Sequence, residues 1–220
     1  MQDEDGRKIP THERTYARLR DMVLFGHLEP GQPVTIQGLV EALEAGMTPV
    51  REAIRRLTAE GALMLQGNRR VVVPRLTRSG LEQMAFVRLA VEPHLAELAL
   101  AGLTPALIEK LEAVDQGINA AIAAGDVPGY LEGNHRFHFA LYDVSDAPVL
   151  EDIARSLWLR FGPSLRVVAG RYGTGSLPDR HGEALAAMRA GDAAALARAI
   201  REDIQQGVDQ VAQALAAGEI

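Results

Sequence analysis

One run constrains this chain more than any other: Met47-Thr-Pro-Val-Arg-Glu-Ala-Ile-Arg-Arg-Leu57, followed by Thr58-Ala-Glu-Gly61. Val50, Ala53, Ile54 and Leu57 recur at the spacing of one buried helical stripe, and Arg51, Arg55 and Arg56 fall off it. Thr48 is expected to cap the free amides, Pro49 to take the first helical position, and Gly61 to end the helix. A helix with one apolar face and three guanidiniums elsewhere suits an anion-rich groove. Taken alone it is equally a solvated amphipathic helix, so its neighbours decide.

A helix pattern begins near Glu13, with Tyr16, Leu19 and Val23 on one face, and ends near Gly26. Glu29-Pro-Gly31 reads as a turn and Pro33-Val-Thr35 as a short strand. Thr35 then caps a second helix through Ile36, Leu39, Val40 and Leu43. Glu44-Ala-Gly46 leads tightly into the arginine-bearing helix. Helix, glycine turn, helix is the layout that lays its second member in a DNA major groove. Downstream, Leu63–Gln66 and Arg69–Val73 flank Gly67-Asn68 and read as a hairpin, a wing with Arg69 and Arg70 at its tip.

The charge is distributed to match. The net charge of −6 excludes a wholly basic nucleic-acid binder, but residues 1–75 hold 11 basic and 10 acidic side chains against 12 and 19 in 76–220. A local basic face is open to the first part, while the second is too acidic to hold DNA by charge. No cysteine is present, so thiolate metal sites and disulfides are excluded. No run is long enough to span a bilayer and no signal segment is seen, which makes a cytoplasmic location the expectation.

Residues 1–12 read as a flexible arm and 76–80 as a linker, with Ser79 a candidate helix start. From Leu81 onward strand signals vanish. Apolar positions recur at helical spacing in blocks near 81–102, 104–124, 126–144, 147–168, 178–190 and 192–217, an all-α bundle of six helices. Gly170–Ser176 is glycine-rich but lacks the Lys-Ser/Thr ending of a phosphate loop, so an interhelical loop is expected. His135 and His138 lie in one helix, where Asn134 and His138 share a face. His181 opens a later helix and Asp203 lies inside the last. Facing bundle helices build metal sites from such residues, although the spacing alone favours scattered surface or core-satisfied histidines. Trp158 and Tyr142 read as core or pocket wall, and Arg88 as either an ordinary helix-surface arginine or an ion-pair partner of Glu92 four residues on.

Leu28-Glu-Pro-Gly31, Thr48–Leu57 and Ala59-Glu-Gly-Ala-Leu63 resemble the winged-helix half of GntR-type bacterial transcription regulators. The resemblance covers 13–75 and implies Gln37, Thr48, Arg51, Gly67, Asn68 and Arg69 as DNA contacts, with Arg55 a further candidate. Met47 stands where many relatives carry an arginine. Val87–Pro93, Phe137–Leu141 and His181–Asp192 resemble the all-helical FCD ligand domain, expected over 81–217. By position this implies Asn134, His138, His181 and Asp203 as metal ligands, with Asn replacing the usual Asp and Asp the usual His. Two imidazoles and one carboxylate suit zinc, nickel, manganese or iron. A metal-free pocket that hydrogen-bonds an effector through the same residues stays open. Arg88 sits where the family places a basic residue toward a small carboxylate metabolite.

The expected protein is mainly α: a winged helix-turn-helix followed by a ligand-binding bundle. It is expected to be a homodimeric, ligand-responsive regulator, a repressor on a near-palindromic double-stranded DNA operator, with no membrane partner. The alternative is a metal-dependent hydrolase or lyase using His138, His181 and Asp203.

Overall fold

A computed structural model of the chain describes residues 10–67, 70–172 and 178–218. The expected arm lies almost wholly outside this range, as do Asn68, Arg69 and 173–176. The first helix, α1 (Thr11–Leu24), starts two residues ahead of the expected Glu13. It is followed by β1 (Val34–Thr35), α2 (Ile36–Leu43) and α3 (Met47–Ala59). Thr35 caps α2 as expected, accepting from the Gly38 amide at 2.9 Å.

Thr48 does not cap α3. The cap position belongs to Gly46, in extended backbone at φ −69° and ψ 159°, and no side chain bonds there. Pro49 therefore stands third in the helix rather than first. It is tolerated because no amide in the first turn has an intrahelical partner.

Strands β2 (Met64–Gln66) and β3 (Arg70–Val72) form the wing, with β3 central in a sheet ordered β1-β3-β2. Gln66 pairs with Arg70, so the connection spans three residues rather than the two expected from Gly67-Asn68. Val50, Ala53, Ile54 and Leu57 of α3 are all buried, which leaves the arginine side of that helix outward.

The second part begins with α4 (Arg78–Ala99), capped by Thr77 rather than started by Ser79. A single 3-10 turn closes α4 at Leu100–Gly102. Then come α5 (Pro105–Ala124), α6 (Val127–Tyr142), α7 (Pro148–Tyr172), α8 (Arg180–Ala190) and α9 (Ala193–Ala216). Helix α7 runs past Gly170, where a break was expected. Helix α4 packs along α9, α5 along α6, and α8 along α9.

The two parts touch. Helix α1 lies on α7, so closely that a Cβ at Gly162 would collide with the Leu24 carbonyl oxygen. The Phe25 ring meets His135 of α6 edge-on at 5.8 Å. Among the described residues no helix is long and apolar enough to cross a membrane.

Candidate functional site

The bundle gathers His138 of α6, His181 of α8 and Asp203 of α9, with one ligand atom from each lying within 4.8 Å of the others. Nε2 of His138 lies 3.0 Å from Asp203 Oδ2, and Nε2 of His181 lies 3.8 Å from Oδ1. Both Nε2 atoms are buried and complete no hydrogen bond. Asn134 is buried one turn before His138 and borders the same space as Asp203.

Each ring is held from behind. Nδ1 of His138 is 3.0 Å from the Tyr142 hydroxyl, which donates its own proton to Glu92 Oε2 at 3.0 Å. The phenol oxygen therefore accepts from Nδ1–H, and a neutral ring presents its Nε2 lone pair to Asp203. Nδ1 of His181 lies 3.3 Å from Asp115 Oδ1, and the ring stacks on Phe137 at 4.2 Å. Bare lone pairs aimed at a carboxylate repel unless a proton or a metal cation lies between them. These orphaned nitrogens and the single carboxylate fit a divalent metal.

Burial opposes charge on Asp203, but when the rings are protonated a His138 hydrogen bond, the two imidazolium charges and Arg88 outweigh it and bring its carboxyl down to about 2; neutral rings leave that gap to a metal. Burial likewise opposes protonation of His181, and Asp115 and Asp203 still raise it above the usual imidazole value.

Arg88 is not free. It is buried, with Nε 2.5 Å from Glu92 Oε1, and lies over the rings of Trp158 and Phe161. Glu92, fully buried, also accepts from Trp158 Nε1 at 2.8 Å. Removing one member of such a pair costs about 3–5 kcal/mol. Of the readings left open for Arg88 the structure has the ion pair with Glu92, and Tyr142 and Trp158 are its hydrogen-bonded walls.

Asp203, Tyr130 and Gln206 separate two spaces. One, of about 20 Å³, lies against Arg88 and Asn134 and has room for about one water. The other, of about 260 Å³, opens between α5 and α8 beside Asp115, Arg180 and His181. A larger surface concavity, about 730 Å³ between α5 and α6, has none of these ligand candidates in its lining.

On the winged part, Gln37, Thr48, Arg51, Arg55 and Gly67 are all exposed. Arg55 pairs with Glu52 within α3, whereas Arg56 turns inward to Glu13 at 2.9 Å and stacks over Tyr16. Arg70 on β3 is exposed as well.

Residues 83–206 match the FCD domain family, and residues 11–73 match the family described as bacterial regulatory proteins, gntR family. The chain belongs to the FCD branch of the GntR family. This GntR regulator is 28% identical over 193 residues to the HTH-type transcriptional regulator McbR of Escherichia coli (strain K12), spanning 86% of this chain and 87% of McbR. It is 29% identical over 138 residues to the Nta operon transcriptional regulator of Aminobacter aminovorans, covering 62% and 64% of the two chains. The solved structure of E. coli McbR/YncC superposes with a TM-score of 0.88 at 26% identity, over 94% of this chain and 99% of that one. A GntR regulator from Rhodococcus sp. RHA1 shares the fold, with a TM-score of 0.74 at 23% identity over 92% and 98%. The GntR protein is thus a DNA-binding transcription regulator.

His135, to which the sequence assigned no role, sits where the two parts of the GntR regulator meet. Its ring contacts Phe25, Phe139 and Trp158. Burial, then the charges of Arg155 and Arg20, and His138 after them, lower its pKa to about 3. Above the ordinary imidazole value of 6.5 both folded and unfolded states are neutral there. As pH falls below 6.5 only the unfolded chain gains the proton, so stability is lost until about pH 3. By pH 5 the expected loss is about 2 kcal/mol. Urea unfolding at the two pH values checks this, since His135→Phe should lose about that much less stability between pH 7 and pH 5 than the wild type.

Proposed function

We propose that this GntR regulator senses a small carboxylate metabolite through a divalent metal held by His138, His181 and Asp203, with Asn134 beside them. The single observation that carries the reading is the pair of buried, unbonded Nε2 atoms converging on one carboxylate. Zinc, nickel, manganese and iron all accept this donor set. A metal with open positions would bind the effector carboxylate directly as a Lewis acid.

Cavity size decides where the effector stands. The space beside Arg88 holds about one water, so an organic acid uses the 260 Å³ chamber between α5 and α8. Arg88 then acts as a fixed positive wall behind Asp203, since leaving Glu92 would strand a buried charge. The proposed regulator is a homodimeric repressor that places Arg51, Gln37, Thr48 and the wing on two half-sites of a near-palindromic operator. Release follows if the effector binds one arrangement of the dimer better than the other. The relatives above are regulators, which weighs against the hydrolase or lyase alternative.

The test is elemental analysis of protein purified without chelator, alongside His181→Ala. One equivalent of a transition metal is expected in the wild type and its loss in the variant, with far-ultraviolet circular dichroism unchanged. A wild type without metal that still binds small acids would replace this reading with a pocket that hydrogen-bonds its effector.

A further inference from the structure

A carboxylate and a phenol stand directly behind the two rings, and a second carboxylate anchors the phenol. Asp115 of α5 faces Nδ1 of His181 at 3.3 Å, and the Tyr142 hydroxyl, anchored on Glu92 of α4, faces Nδ1 of His138 at 3.0 Å. Both contacts are made on the ring atom remote from Asp203. Asp115 and Glu92 are buried, Tyr142 is fully buried, and Asp115 shares the buried face of α5 with Leu111 and Ile118. Asn119 also donates to Asp115, at 3.2 Å. A carboxylate is placed in such surroundings at a cost in desolvation, which a hydrogen-bonded partner must offset.

We infer that Asp115 and the Tyr142–Glu92 pair are positioning residues that fix both imidazoles as Nδ1–H tautomers, with both Nε2 lone pairs turned on Asp203. The inference rests on the metal reading above for its consequence, but not for its geometry. An imidazole locked this way loses no rotational or tautomeric freedom when it ligates, and a carboxylate behind it makes it a stronger donor. The site's affinity is then set from α4 and α5, two helices that supply no ligand. Asp115 also forms a wall of the 260 Å³ chamber, so the orienting group and the proposed effector space share a border.

Long-range proton–nitrogen spectra of the full-length, metal-free protein above pH 7 read the tautomers directly. Nδ1–H at both His138 and His181 is expected, and Nε2–H at either ring overturns the assignment for that ring. Titration with zinc alone, by calorimetry with a competing chelator, tests the consequence. Asp115→Asn and Tyr142→Phe, which keep shape and packing, should each weaken zinc by about 10–100-fold. The visible band of the cobalt-substituted protein should shift in both, and Asp115→Glu should recover part of the affinity.

Zinc binding within about twofold of wild type in both variants, with His181→Ala abolishing it, removes the positioning role and leaves the metal site standing. A wild type that takes up no zinc yet shows both Nδ1–H tautomers removes the metal and keeps the assignment of the rings. Urea unfolding of each metal-free variant separates these results from misfolding, and the two substitutions report on different rings, so either one decides.

Discussion

Glu92→Ala is expected to lower unfolding stability by about 3–5 kcal/mol. The carboxylate accepts from Arg88, Tyr142 and Trp158 and is fully buried. Its removal leaves a guanidinium enclosed between two rings with no counter-charge, and strands an indole N–H and a phenol. Urea denaturation measures the loss directly. The double variant Arg88→Met, Glu92→Leu should recover most of it, because apolar side chains of similar volume replace a buried pair at little cost. A loss below about 1 kcal/mol in the single variant would mean that Arg88 finds water or another acceptor, and the closed chamber beside it would have to be abandoned.

Arg51→Ala is expected to cost operator affinity about 1–3 kcal/mol per half-site, which for the proposed dimer sums to about 2–6 kcal/mol and leaves roughly 3% down to roughly 0.004% of wild-type binding. The arginine is exposed on α3, off its buried stripe. Arg56→Ala is the internal comparison. Its guanidinium is committed to Glu13 and Tyr16, so it should lower stability and leave DNA affinity unchanged. Fluorescence anisotropy on operator and random duplex at one salt concentration separates the two, since affinities change steeply with salt. Operator binding untouched by Arg51→Ala would take this residue off the interface.

The features legible from the chain are those that depend on local periodicity. Thr35 as a cap and the buried stripe of α3 follow from spacings of three and four residues, which also offered the Arg88–Glu92 pair as one of the open readings. Thr48 misled because Ser and Thr are good caps anywhere near a helix start, and the backbone at Gly46 took the position instead. The wing turn misled for a similar reason, since Gly-Asn permits a two-residue turn without requiring one. What stayed hidden acts across space. The bonds from Tyr142 and Trp158 to Glu92 span 50 and 66 residues, and no periodicity reports how a helix is rotated against its neighbours.

A signal for Asp115 was nevertheless present. Leu111, Asp115 and Ile118 form the buried face of α5, and a carboxylate on an apolar stripe asks for a partner. His135 carried a weaker one, an imidazole two positions before the first of a pair of phenylalanines in the same helix.

The missing side chain at position 162 has a further consequence. Trp158, which walls the His138 ring and bonds Glu92, lies one turn earlier on the same helix. With the Leu24 carbonyl set against Gly162, the reading head rests directly on the helix that carries the indole, so a tilt of that helix would bear on it without an intervening side chain. If the proposed dimer forms, such a tilt would reset the span between two groove-seeking helices, and the message would travel as a change of gauge rather than as a loosened tether.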